Sequence, residues 1–164
     1  MRTLGIDPGT YNMGTGIVDS DGYGFVLAHS GVLTARKKDP ISIRLHHLYT
    51  ELLALIAEWN PTEIAVEQPF AARNIRTAIS IGQAQSIAML AAAHHKIPLS
   101  NYAPRQVKQS VTNYGGSSKD QVQEMVKTLL NFDSFPHSQD ASDALAVAIC
   151  HINSSQLTNL EMIT

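Results

Sequence analysis

Apolar and polar residues alternate along the first part of the chain in the manner of β-strands. The segments TLGID, GTGIVDS and GFVLAHSGVLT each show this alternation, and the turn-forming stretches DPGT and DSDGYG separate them. Short connections of this kind join antiparallel strands. The chain is therefore predicted to begin with a three-stranded antiparallel unit.

A helical period then replaces the alternation. Apolar residues recur at three- and four-residue spacing from Ile43 through Trp59, and the segment NPT ends this helix. The segment EIAVEQ predicts a short strand, which a crossover helix makes parallel to the first strand. The remaining predicted elements are a long helix from Asn74 to about His95, a strand at IPLSNY, a helical turn from Pro104 to Ser110, and helices from Lys119 to Leu130 and from about Ser138 to His151.

This order of elements predicts an α/β protein. Three antiparallel strands followed by parallel strands form a mixed sheet flanked by helices, which is the order of the ribonuclease H-like fold. With 164 residues the chain has the length of one domain. We predict a single domain over residues 1–153 and a flexible C-terminal tail over residues 154–164.

The composition is typical of a globular cytoplasmic protein. Apolar residues make up 44% of the chain and charged residues 16%. The single cysteine, Cys150, excludes an internal disulfide and leaves too little sulfur for a zinc site. The N-terminal MRTLGIDPGT lacks the apolar core of a signal peptide, and no apolar run is long enough to span a bilayer. We expect a cytoplasmic location.

The charges are unevenly distributed although the net charge is only −2. Residues 68–119 contain six basic residues and no acidic residue. Residues 1–67 contain eight acidic and five basic residues, and residues 120–164 contain six acidic residues and one basic residue. The acid-free window suits a surface that faces a polyanion such as DNA. A basic helical face exposed to water explains it equally well.

Two aspartates begin the apolar run DASDALAVAIC near the end of the chain. Asp140 and Asp143 are three residues apart, so on a helix they share one face. Acids at such a position commonly cap the helix and complement its dipole. Binding a shared cation is the alternative role.

Two further acids end strands that are predicted to be neighbours. Asp7 ends the first strand and Glu67 the fourth, and open α/β sheets place their chemistry at this edge. If the last helix lays its N-terminus across these strand ends, four carboxylates form a cluster that is stable mainly when hard cations such as Mg²⁺ or Mn²⁺ occupy it. Two such ions about 3.5 to 4 Å apart can activate water against a phosphodiester. Taken singly, each acid is also consistent with a turn or a solvated strand end.

Five segments resemble successive motifs of the RuvC-type Holliday-junction resolvases, in order and spacing. They are GIDPGTYNMGTGIV, AVEQPFAARN, IGQAQSIAML, PRQVKQSVTNYGGSSKDQV and DASDALAVAICH, within residues 1–151. The resemblance implies a homodimeric endonuclease with divalent metal, two ions per active site. It further implies that the enzyme cuts a four-way DNA junction symmetrically during recombination and repair. It also suggests a branch-migration helicase complex as a partner.

The resemblance assigns roles to individual residues. The family's four metal-binding and catalytic carboxylates match Asp7, Glu67, Asp140 and Asp143. An aromatic residue beside the junction matches Phe70, and basic residues near the DNA match Lys108 and Lys119. Three other basic residues of the acid-free window complete the predicted DNA-binding set, namely Arg73, Arg76 and Arg105.

Two positions depart from the family pattern, and they affect the expected DNA affinity. Pro69 stands where the family often has another apolar residue, and Gln85 where it often carries Arg. Two other functions are kept as alternatives. One is a ribonuclease H-like nuclease acting on RNA–DNA hybrid or structured RNA, and the other is a non-catalytic junction-binding protein.

The Ala-rich helix that contains AISIGQAQSIAML is predicted to form a two-fold interface. Small residues at 78, 82, 84 and 88 would let a partner helix approach, and three larger residues, Ile79, Ile87 and Leu90, would supply apolar area. Packing of this helix on its own sheet is the alternative.

Overall fold

The structure is a computed structural model and describes residues 1–68, 75–132 and 138–161. Within these ranges the strands are β1 Arg2–Asp7, β2 Asn12–Asp19, β3 Val26–Thr34, β4 Glu63–Glu67 and β5 Leu99–Tyr102. The helices are α1 Ile41–Trp59, α2 Ile75–His95, α3 Pro104–Thr112, α4 Lys119–Leu130 and α5 Gln139–Glu161. The sheet has the order β3-β2-β1-β4-β5. Strands β1, β2 and β3 pair antiparallel and β1, β4 and β5 pair parallel, so the predicted mixed sheet is confirmed.

Two helices are longer than predicted. Helix α3 begins at Pro104 as predicted and ends at Thr112, two residues past the predicted Ser110. At its start the Gln106 side chain accepts a hydrogen bond from the Ala103 N–H. Helix α5 continues past His151 to Glu161, and Asn153 donates hydrogen bonds to Ser110 of α3. Residues 154–161 are thus helical. The domain boundary at residue 153 stays a prediction.

Alternate strand residues face two separate cores. Leu4 and Ile6 of β1 pack with residues of α1 and α2 on one face of the sheet. Ala65 of β4 lies on the other face and packs with residues of α3, α4 and α5. Because side chains alternate along a strand, Asp7 and Glu67 lie on the face that α5 covers.

Part of the predicted two-fold interface on helix α2 is wrong, because three of its residues are buried within the chain. Ala84, Ile87 and Ala88 are buried against the chain's own sheet and α1, so they cannot contact a partner helix. Ile79 and Leu90 are 58% and 61% exposed and remain available. The helix therefore packs on its own sheet with one face and exposes an apolar stripe on another.

Cys150 serves as a small packing residue. It lies on α5 and its side chain is buried in the core on that face of the sheet, where burial raises the pKa of the thiol. Among the helices that the structure describes, none is both long and apolar enough to cross a membrane.

Candidate active site

Helix α5 lies directly against the sheet because two facing strand positions are glycines. A Cβ atom at Gly5 would overlap the carbonyl oxygen of Ala144, and one at Gly14 would overlap that of Asp140. Glycine within a strand allows this close approach of another backbone. Gly14 pairs with Asp7 in the register of β1 and β2. The contact therefore sets the first turn of α5 beside the end of β1.

A cavity of about 270 Å³ opens where β1, β4 and α5 meet. Asp7, Glu67 and Asp143 line it from these three elements. Lys108 of α3 and Lys119 of α4 also line it. The structure thus brings together three of the predicted carboxylates and two of the predicted basic residues.

Asp140 stands slightly apart from this group. It lies in the first turn of α5, is partly exposed, and is not among the residues that line the cavity. Its charge nevertheless raises the pKa of Asp7, so the two carboxylates are electrostatically coupled. The fourth predicted carboxylate belongs to the rim of the site.

Asp7 has the most perturbed carboxyl group of the cluster. Its pKa is raised from 3.8 to about 7, and burial is the largest cause. Negative charges contribute in the order Glu67, Asp143 and Asp140, while the Lys119 ammonium opposes them. At neutral pH the protein alone therefore leaves this carboxyl only partly ionised, because its surroundings disfavour another negative charge.

The pKa values of Glu67 and Asp143 are also raised, by a smaller amount. Burial is the main reason that the pKa of each is raised, and Lys108 and Lys119 lower both. The Lys119 ammonium lies 3.4 Å from Asp143 Oδ2. Strong charge-assisted hydrogen bonds are shorter, about 2.7 to 2.9 Å. The two lysines therefore offset the negative charge without neutralising it.

The chemistry of these donors fits a hard divalent cation. Carboxylate oxygens are the ligands that Mg²⁺ and Mn²⁺ prefer, and a cation would relieve the mutual repulsion of the acids. As the side chains are placed, no group of three His, Cys, Asp or Glu residues in the described ranges is arranged to hold a metal ion. The cluster thus supplies suitable charges and donors without a closed ligand shell.

The two other predicted DNA-binding residues that the structure describes, Arg76 and Arg105, are not among the residues that line the cavity. Arg105 is exposed on α3, one helical turn before Lys108, and its side chain lies against Gly115 of the α3–α4 connection. Arg76 is exposed in the first turn of α2. Arg105 and Lys108 share one face of α3, which extends the positive charge away from the cavity.

Several predictions fall on residues that the structure does not describe. Phe70 and Arg73 lie between Gln68 and Ile75, as does Pro69, so their roles stay predictions. Gln85 is described and donates a hydrogen bond of 2.8 Å to Asn101 Oδ1. This amide therefore ties α2 to β5.

One feature of the β1–β2 connection, which follows Asp7, was missed by the sequence analysis. The ring of Tyr11, in the β1–β2 connection, covers the buried guanidinium of Arg44. The exposed basic run at residues 36–38 begins next to this pair. The run RKK in the sequence could have pointed to this positively charged surface. It was passed over because it lies outside the acid-free window of residues 68–119.

Comparison with known proteins identifies the family to which this geometry belongs. A family model described as crossover junction endodeoxyribonuclease RuvC matches residues 3–151. The chain belongs to the RuvC family. The resemblance inferred from the five motifs is therefore confirmed.

RuvC proteins of two bacteria resemble the chain over nearly its whole length. The crossover junction endodeoxyribonuclease RuvC of Dehalococcoides mccartyi is 46% identical over 160 residues, which cover 98% of this chain and 96% of the relative. That of Chloroflexus aggregans is 47% identical over 151 residues, 92% of each chain. The solved structure of T. thermophilus RuvC in complex with Holliday junction substrate matches with a TM-score of 0.91 and 30% identity over 96% of each chain. The RuvC fold is thus shared, and the predicted fold class is confirmed.

Proposed function

We propose that this RuvC-family protein is a divalent-metal-dependent endonuclease that resolves four-way DNA junctions by cutting two opposed strands. The observation that carries the proposal is the cavity in which carboxylates of β1, β4 and α5 face two lysines. A site of this kind can bind a cation and a phosphodiester together. The similarity to a RuvC structure in complex with a Holliday junction supports the choice of substrate.

The carboxylates would hold the metal. We assign Mg²⁺ or Mn²⁺, two ions per site, to Asp7, Glu67, Asp143 and Asp140. When bound, the metal supplies an activated water and stabilises the leaving oxygen of the phosphodiester.

The chain's own residues prepare the site for this chemistry. Asp7 and Glu67 are half-buried, so their charges act through a lower effective dielectric than those of fully exposed carboxylates. Three apolar residues of α3, α4 and α5 also line the cavity, namely Val107, Val122 and Ala146. Lys108 and Lys119 bind the phosphodiester and reduce its repulsion by the acids. Positioning and charge stabilisation are therefore the contributions of this chain.

We also propose that the protein acts as a homodimer through α2. Ile79 and Leu90 are exposed on this helix, and a Cβ atom added at Gly82 would meet only open space. A small residue between two exposed apolar ones lets a second helix approach closely. Pairing two copies would place two active sites on opposed strands.

Light scattering at micromolar concentration tests the dimer. We expect the mass of two chains for the wild-type protein and of one chain for Ile79→Asp. Ile43→Asp, on α1, is the matched control, because Ile43 is also exposed and should leave the mass unchanged. A wild-type protein with the mass of one chain would overturn the dimer.

One assay tests the function. A labelled four-way junction is incubated with and without Mg²⁺, beside an RNA–DNA hybrid of equal length, and the cut strands are mapped. We expect symmetric cuts in the junction that require Mg²⁺. Asp7→Asn should bind and not cut, while Asp21→Asn, an exposed acid of the β2–β3 turn, should cut normally. Preference for hybrid would favour a ribonuclease, and binding without cutting under Mg²⁺ or Mn²⁺ would favour a non-catalytic protein.

A branch-migration helicase complex is the proposed protein partner. We expect such a complex to increase the rate at which the wild-type protein cuts a mobile junction. An immobile junction should show no increase, since the helicase has nothing to move there.

A further inference from the structure

Arg44 is a buried cation with few partners. It lies in the first turn of α1 and is 9% exposed. Its guanidinium donates one hydrogen bond, of 3.3 Å, from Nη1 to the Thr10 carbonyl oxygen, and its buried Nε has no partner. Among the residues that the structure describes, no acid forms an ion pair with it. A buried guanidinium in this state is costly unless an anion pairs with it.

The aromatic ring of Tyr11 fixes the orientation of this cation. The Arg44 Cζ atom lies 3.9 Å from the ring centroid of Tyr11, which is the range of a cation–π contact. Tyr11 itself is 40% exposed. Stacking occupies a face of the guanidinium and leaves its in-plane N–H donors for hydrogen bonds. The pair therefore holds the oriented donors of a buried guanidinium next to a partly exposed aromatic ring.

Short connections link this pair to the active site and to a basic run. The β1–β2 connection that carries Tyr11 begins directly after Asp7. The Tyr11 carbonyl oxygen accepts a hydrogen bond of 2.8 Å from the Ala35 N–H. Three exposed basic residues follow at once, namely Arg36, Lys37 and Lys38. Tyr11, Arg44 and residues 36–38 together form what we call the turn surface.

The turn surface lies on the opposite side of the sheet from the lysines of the cavity. Helix α1 packs on the face that carries Leu4 and Ile6. Lys108 and Lys119 belong to α3 and α4, which pack on the face under α5. The end of β1, with Asp7, therefore lies between two groups of positive charge.

We infer that the turn surface is a second phosphodiester-binding subsite, which holds the DNA strand where it continues past the cutting site. Arg44 would bind a phosphate through its planar donors, and Tyr11 would stack on the adjacent base. The basic run would neutralise neighbouring phosphates. The inference rests on the proposed function, because it assigns this surface to the same substrate.

Junction binding measured over a series of salt concentrations tests the subsite. Fluorescence anisotropy in EDTA, which prevents cutting, gives the affinity and its salt slope. Arg44→Gln should lower the affinity about tenfold and reduce the slope by about 0.9, the value of one phosphate contact. Lys37→Gln combined with Lys38→Gln should reduce the slope by about 1.8. Lys96→Gln, an exposed lysine beyond the far end of α2, should change neither quantity.

Tyr11→Ala separates stacking from charge. Loss of a stacked base should lower the affinity by about tenfold, since such stacking contributes roughly 1 to 3 kcal/mol. The salt slope should stay unchanged, because the ring releases no counterion.

The outcomes distinguish this inference from a structural role and from failure of the proposed function. If Arg44 only supports the β1–β2 connection, Arg44→Gln lowers the unfolding temperature and leaves the slope unchanged. If that variant does not fold, the exposed Lys37 and Lys38 decide, and a slope equal to that of the Lys96 control overturns the subsite. A wild-type protein that does not prefer a junction to a linear duplex overturns the proposed function itself.

Discussion

Replacing Asp7 with Asn should stabilise the metal-free protein, and the gain should grow with pH. The pKa of Asp7 is raised from 3.8 to about 7 in the folded protein. The folded state therefore keeps a proton that the unfolded chain has already released between these pH values. Because the native state binds more protons there, the free energy of unfolding falls as pH rises. Asn cannot ionise, so the free energy of unfolding of the variant does not fall for this reason as pH rises.

The magnitude follows from the size of the shift. A difference between 3.8 and about 7 is roughly three units. At about 1.36 kcal/mol per unit, the ionised carboxylate costs the fold up to about 4 kcal/mol above pH 7. The advantage of Asp7→Asn should be near zero at pH 3.5, rise through pH 4 to 7, and then level off. For a chain of this size each kcal/mol shifts the unfolding temperature by about 2 to 4 °C.

Thermal unfolding in EDTA from pH 4 to 9 measures the effect. Asp19→Asn is the control of opposite sign, because the Arg2 side chain lowers the pKa of Asp19 by hydrogen bonding and charge. That carboxylate stabilises the fold above its ordinary pKa, so its replacement should cost stability at neutral pH. Parallel stability curves for the wild-type protein and Asp7→Asn would refute the reasoning.

The same measurement with Mg²⁺ probes the metal. A ligand at 100 times its Kd stabilises the folded state by about 2.7 kcal/mol. We expect Mg²⁺ to raise the unfolding temperature of the wild-type protein at pH 8 and to have little effect on Asp7→Asn. An equal rise in both proteins would mean that the ion binds elsewhere.

Three further changes have definite expected outcomes. Gly14→Ala should lower the free energy of unfolding by about 1 to 3 kcal/mol and abolish most of the cutting activity, because the added Cβ overlaps the Asp140 carbonyl oxygen. Gly24→Ala is the control, since its Cβ meets only open space. Calorimetry and cutting assays should show no change for this control. Lys119→Ala should reduce the salt slope of junction binding by about 0.9, measured by anisotropy, and an unchanged slope would mark a solvated lysine. Gln85→Arg should increase that slope by a similar amount, because the added guanidinium would make one more phosphate contact. No change would show that the amide only ties α2 to β5.

Local rules were sufficient for the elements that carry the acids. Strand alternation placed Asp7 and Glu67 at strand ends, and helical spacing placed Asp140 and Asp143 on one face. The start of α4 at Lys119 was also predictable, since Ser118 caps this helix. These features depend on near neighbours in the chain.

Features that depend on distant contacts were not predictable. The Ala-rich helix α2 is apolar on several sides, so its period does not show which side packs on the sheet, and Ala84 and Ile87 were assigned to a partner. The segment NSSQ after Ile152 favours a helix end by composition, but Asn153 bonds to Ser110 and the helix continues. Arg44 has the spacing of an ordinary helical residue, and its burial depends on Tyr11 in another element.

The glycine contacts beneath α5 also determine how the site is lost on unfolding. The first turn of α5 touches the sheet backbone, and the rest of the helix forms the core on that face. Detaching Asp140 or Asp143 would therefore expose core residues that follow in the same helix. Amide hydrogens at residues 144–150 should exchange only through global opening of the domain. Heat or denaturant should accordingly abolish the nuclease activity and the fold in one transition, without a folded but inactive stage.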